Sequence, residues 1–110
     1  MPMEVIQVAQ QLNQTTKRLS NSTKEVFKMA KQRAETEREY RQALMQEIVR
    51  LRTEGYPATL IADVARGRTA DLKFKRDLSM EMHRSALASI EALQVEVQSW
   101  QSILRNLDEI

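Results

Sequence analysis

Cysteine is absent from this 110-residue chain, which excludes disulfides and thiolate metal sites. Glycine and proline occur twice each, too rarely for the many turns that sheets and irregular folds need. Aromatic residues make up 5%, too few for a platform on which successive bases could stack. No apolar run approaches the ~20 residues of a membrane-spanning helix. The opening MPMEVIQVAQQ lacks the basic region and apolar stretch of a signal peptide. Charge of one sign is also missing. The 17 basic and 15 acidic residues leave a formal net charge of +2, a balance that neither requires nor excludes an anionic partner. The expected location is the cytoplasm, with no membrane among the partners.

What is present is mostly helix-forming. Ala, Leu, Glu, Lys, Arg, Gln and Met fill most positions, and 42% hydrophobic with 29% charged residues suits a folded chain rather than a disordered one. A length of 110 residues allows a single helical domain, 1–110, with a modest core. The expected class is all-α: an antiparallel, coiled-coil-like hairpin of long helices, with an N-terminal helix and a short helix at the turn.

Four segments follow from the periodicity. In the first, over 1–21, Val5, Val8, Leu12 and Leu19 recur at three- and four-residue steps or their multiples. Ser20 to Thr23 then form a polar interruption, and Ser22 with Glu25 matches a capping box. Either the first helix ends there or one long helix runs through. The second segment, 23–54, carries Val26, Met29, Ala30, Tyr40, Leu44, Ile48 and Leu51 on one face. Between Lys31 and Glu39 that face reads KQRAETERE, so this stretch is expected to be solvated or to face another subunit. Gly55 and Pro57, with Tyr56 between them, punctuate the turn, since glycine accepts a left-handed backbone and proline cannot continue a helix. The third segment, 58–66, is short. Thr59 is a candidate N-cap, Gly67 a candidate left-handed terminator, and Leu60, Ile61 and Val64 should plug the end of the hairpin.

The fourth segment, 69–109, begins at Thr69, a further N-cap candidate, with Asp71 beside the positive helix end. From Ser79 the apolar spacing alternates four and three through His83, Ala86, Ile90, Leu93, Val97, Trp100, Leu104 and Leu107. That is a coiled-coil line of contact. Met80, Met82, Leu87 and Ile103 widen it beyond what one partner helix covers. Further helices should therefore pack here, from the N-terminal segment or from another subunit, and a homo-oligomer is the expected state.

Candidate chemistry is sparse. His83 is the only histidine and falls on the contact line, where a structural role outweighs a catalytic one. Glu35, Glu37 and Glu39 alternate along a helix, so they diverge as a solvated face would. No HExxH or four-glutamate bundle pattern occurs, so no metal or other cofactor is expected. Arg66, Gly67, Arg68 and Thr69 precede a helix N-terminus with Lys73 and Arg76 nearby, a pattern able to hold phosphate of a nucleotide or nucleic acid. The alternative is a glycine cap whose neighbours pair with Glu54, Asp63 or Asp77. Lys24, Lys28, Lys31, Arg33, Arg38 and Arg41 also lie along one helix, but acids interrupt its second half.

From Glu39 to Asp77 the residues EYRQALMQEIVRLRTEGYPATLIADVARG, followed by KFKRD, resemble small uncharacterised helical proteins encoded by tailed phages and prophages of Gram-positive bacteria. The matching positions are Tyr40, Leu51, Arg52, Glu54, Gly55, Pro57, Thr59, Leu60, Ile61, Ala65, Arg66, Gly67, Arg76 and Asp77. The resemblance implies phage origin and a bacterial cytoplasm, and it transfers no catalytic residue. The expected function is that of a non-catalytic interaction protein, self-associating through its C-terminal contact line and binding a host or phage protein around Tyr56 to Arg76. Two rivals are a counter-defence protein that sequesters a nucleotide signal or inhibits a host immune factor, and a nucleic-acid-binding accessory of phage replication or recombination.

Overall fold

The computed structural model describes residues 3–108, which form three α-helices and, among the described residues, no strand: α1 (Met3–Thr53), α2 (Ala58–Arg68) and α3 (Ala70–Asp108). The chain divides into two compact units. One combines the residues up to Lys28 with those from Arg84 on, and the other holds Met29–His83. None of the described helices is long and apolar enough to cross a membrane.

In the first unit the inward positions of α1 are Val5, Val8, Leu12, Thr15, Leu19, Ser22 and Val26, every one buried or half-buried. The steps alternate three and four without a break, which keeps one edge of a helix facing one neighbour. Thr15 occupies such a position with a side chain that is almost wholly buried. Its hydroxyl donates to the Gln11 carbonyl at 2.9 Å and lies 3.2 Å from a Glu96 carboxylate oxygen, so the buried oxygen has partners. The α3 side of this unit supplies Ala86, Ile90, Leu93, Val97, Trp100, Leu104 and Leu107, all buried or half-buried, with Leu93 7% exposed. Trp100 borders a cleft with Gln7 and Val8, while Leu93 and Ser89 border one with Asn21 and Ser22. The N-terminal segment of the same chain therefore lies along the line that the sequence leaves open to it or to a second subunit.

The helix does not stop at Ser20–Thr23. Ser22 and Glu25 sit mid-helix, and the Thr23 hydroxyl donates back to the Leu19 carbonyl at 3.0 Å, as a threonine inside a helix does. The capping-box pattern is overridden because Leu19, Ser22 and Val26 continue one inward edge, and tertiary packing outweighs a local cap.

In the second unit, α1 closes on a Schellman motif. The Gly55 N–H donates to the Arg52 carbonyl at 3.1 Å and the Tyr56 N–H to the Leu51 carbonyl at 3.1 Å, with Gly55 at φ 81°. Pro57 flanks α2, and no side chain caps its first turn; Thr59 lies inside the helix and is not its N-cap. Ile61 and Ala65 pack with Leu51, joined by Leu44, Ile48 and Val64. Leu60, expected among them, is 49% exposed. Helix α2 begins at Ala58, which puts Ile61, Val64 and Ala65 on one stripe and turns Leu60 about 100° away from Ile61.

Gly67 is helical and does not terminate α2. The break falls at Thr69, a single residue with φ −108° and ψ 13°. Its N–H and its hydroxyl both donate to the Ala65 carbonyl, at 3.1 and 2.8 Å, so the side chain closes α2 rather than capping α3. Its own carbonyl accepts the Lys73 N–H at 3.0 Å, and α3 starts at once.

The stretch from Lys31 to Glu39 is not simply solvated. Arg33 and Glu37 are half-buried and Thr36 is 7% exposed, continuing the inward edge of α1 through polar residues. Thr36 settles its hydroxyl on the Gln32 carbonyl at 2.9 Å.

Candidate interaction surface

Each cation of the proposed anion site has a carboxylate partner, with Lys73 and Arg76 sharing Asp77. Arg66 reaches Asp63 at 3.2 Å, one turn back on α2. Arg68 reaches Glu47 on α1 at 3.4 Å, hydrogen-bonds the Tyr56 hydroxyl at 3.4 Å, and stands 5.8 Å from the centre of the Tyr56 ring. Glu47 also takes Arg50. Lys73 pairs with Asp77 at 3.5 Å. Arg76 is the most enclosed of the set, bonding Asp77 at 2.9 Å, approaching Glu37 at 3.5 Å and lying 4.6 Å from the centre of the Tyr40 ring. Gly67 is embedded in α2 and the Thr69 hydroxyl is engaged by Ala65, so neither presents a phosphate cradle. Asp63 and Asp77, both near in sequence, pair with Arg66, Lys73 and Arg76, while Arg68 is paired with Glu47 from α1 and Gly67 is not a cap.

The electrostatics agree with the distances. The Arg41 hydrogen bond, with Arg76 nearby, holds the Glu37 carboxyl below its ordinary value. Arg76 does the same for Asp77, and Lys73 adds to it. Arg68 and Arg76 are pushed up, chiefly by the Glu47 and Asp77 hydrogen bonds respectively. Mutual neutralisation of this kind leaves little field for a further anion.

His83 is half-buried, and its Nδ1 lies 3.2 Å from an Arg33 guanidinium nitrogen. A guanidinium only donates, so Nδ1 is the acceptor in this contact. A nucleophile would need that same lone pair for activation.

Among its exposed charged residues the second unit also presents apolar side chains. Phe74, Leu78 and Met82 follow each other at four-residue steps on α3 and are 69%, 48% and 41% exposed. At the turn, Tyr56 and Leu60 are also open, and on α1 Met45 and Val49 form a shorter exposed pair. Leu78 borders a cleft of about 340 Å³ with Gln32, Glu35, Glu39 and Lys75, where Lys75 stands 3.7 Å from Glu39.

Sequence reasoning passes over Phe74 and Leu78 because they fall off the 79–107 contact line. The available signal is their phase: both stand two residues from inward positions, Phe74 from Leu72 and Arg76, and Leu78 from Arg76, where a solvent-facing helix normally carries charge. No family model, curated protein or solved structure matches the chain.

Proposed function

We propose that this chain is a non-catalytic interaction protein of phage type, acting in a bacterial cytoplasm. In this reading its long helices form one antiparallel hairpin, and the α3 ridge of Phe74, Leu78 and Met82 receives an apolar helix of a protein partner. The observation that carries the reading is the ridge itself: three large apolar side chains at four-residue steps, 69%, 48% and 41% exposed, running from the outer side of α3 at Phe74 to the rim of its cleft with α1 at Leu78. Burying them would release roughly 25 cal/mol per Å² of apolar surface, the usual driving force for helix-on-helix docking. The resemblance of residues 39–77 to phage and prophage proteins supports the origin.

Self-association is assigned to this ridge rather than to the C-terminal contact line, which α1 already accompanies. A second copy laid antiparallel about Leu78 would set Phe74 against Met82 and Lys75 against Glu81, apolar on apolar and opposite charge on charge. The test is light scattering together with affinity capture from a phage-infected bacterial lysate, with wild type compared against Phe74→Ser/Leu78→Ser. Loss of both the oligomer and the captured proteins in the variant is expected. A wild-type monomer capturing the same proteins as the variant would refute the assignment.

A further inference from the structure

A separate feature lies on α1 in the first unit. From Val5 to Lys24 there is no acidic residue, the longest acid-free stretch within α1. Lys17, Lys24 and Lys28 are all exposed. They fall within about 40° of one another around the helix and span about 16 Å along it. Lys17 and Lys24 each stand two residues beyond an inward position, Thr15 and Ser22, and so point away from the packed edge. Among the described residues no ion pair engages any of the three, unlike Arg18, which turns to Glu96 at 3.7 Å, and unlike every basic residue of the Arg66–Arg76 region. Between Lys17 and Lys24 the exposed positions carry amides and hydroxyls, Asn21 and Ser20 among them, together with Arg18; the acid Glu25 lies between Lys24 and Lys28, and Phe27 stands beside both with 74% of its surface exposed.

Unpaired lysines in line, with Glu25 the one carboxylate among them, and one bare aromatic ring at the edge suit a particular partner. We propose that this face of α1 binds single-stranded nucleic acid, with Lys17, Lys24 and Lys28 neutralising backbone phosphates and Phe27 stacking on a base. An unpaired strand fits better than a duplex, because only an unstacked base offers its face to Phe27. One ring makes one stack, so binding takes most of its strength from the phosphates and reads little sequence. An anionic membrane fits less well, because amides and hydroxyls flank the lysines where an interfacial helix needs a broad apolar side.

The test is fluorescence anisotropy of a labelled oligothymidylate titrated with the full chain at several salt concentrations. Three phosphate contacts on a single strand give a log–log salt slope of about −2, so a fourfold rise in salt weakens binding roughly 20-fold. Lys17→Gln/Lys24→Gln/Lys28→Gln abolishes the signal with helicity by circular dichroism unchanged, and Phe27→Ala weakens binding roughly tenfold, the order of one base–aromatic stack. Arg66→Gln leaves it unchanged. Absent or salt-independent binding, an unaffected triple variant, an equal loss with Arg66→Gln, or binding to phosphatidylserine vesicles without binding to the oligonucleotide would each overturn the proposal. Because Phe74→Ser/Leu78→Ser leaves this face intact, failure here and failure of the protein-docking reading are separable.

Discussion

Replacing Leu51 by alanine probes the packing of α2 on α1. Leu51 is 0% exposed and packs with Ile61 and Ala65, with Leu44, Ile48 and Val64 around them. The substitution removes three carbons, about 2.4 kcal/mol at ~0.8 kcal/mol per buried methylene. A cavity term brings the total to about 3 kcal/mol, because neighbours relax only partly. For a domain of this size that is a shift of about 10–20 °C in Tm. Leu60→Ala is the matched control: the same chemistry at a side chain 49% exposed should cost no more than about 0.5 kcal/mol. Both variants are measured by urea denaturation followed by circular dichroism, at equal protein concentration so that self-association does not enter. Equal losses at the two positions, or a Leu51→Ala cost below about 1 kcal/mol, would mean that α2 does not pack as described.

The two glycines should respond in opposite directions. Gly55→Ala forces a side chain into φ 81° and should destabilise by about 1 kcal/mol, whereas Gly67→Ala sits in a helix with nothing within 4 Å of the new methyl and should stabilise by about 0.5–1 kcal/mol; thermal melts of both decide it. The Glu37 and Asp77 carboxyls are depressed by Arg41 and Arg76. Depressed acids contribute stability that is fully present above their unfolded values and is lost as pH falls through the folded ones. Stability should therefore fall on acidification through and below the carboxylate range, and Glu37→Gln/Asp77→Asn should flatten that limb while lowering stability at neutral pH. Arg76→Lys keeps the charge but loses the planar stack on Tyr40 and the paired N–H groups toward Asp77; a loss of about 1 kcal/mol by denaturant titration is expected, against almost none for Arg66→Lys.

Helix content and the turn were legible because they rest on local chemistry. Gly55 and Pro57 act through their own backbone preferences, and the 83–107 spacing is set by apolar residues that have no other place to go. The misplaced features involve residues whose polarity conceals their position. Thr15 and Thr36 stand on inward edges because a threonine can return its hydroxyl to the carbonyl one turn back, so a search for apolar periodicity skips them. Arg33 and Glu37 read as a solvated run, yet they are half-buried through partners about forty to fifty residues away, which sequence spacing does not reveal. Gly67 looked like a terminator because glycine so often is one; here Thr69, with two donors aimed at one carbonyl, ends α2 instead. The cationic cluster was visible as residue types, and its neutralisation only in part: Asp63 and Asp77 stand near in sequence, whereas Glu47 and Glu37 are supplied from another helix.

The polar contacts between α1 and α3 in the second unit also fix which alignment of the two helices is chosen. Leucines and alanines facing one another tolerate a slip of one heptad, about 10 Å, since each meets another apolar residue. Arg76 does not: seven residues either way, the position opposite Glu37 and Tyr40 is filled by Thr69 or His83. Arg33 would likewise exchange His83 for Arg76 or Ile90, either a like charge or no acceptor at all. A few charged side chains thus select one pairing from several that apolar burial would leave nearly equal in free energy.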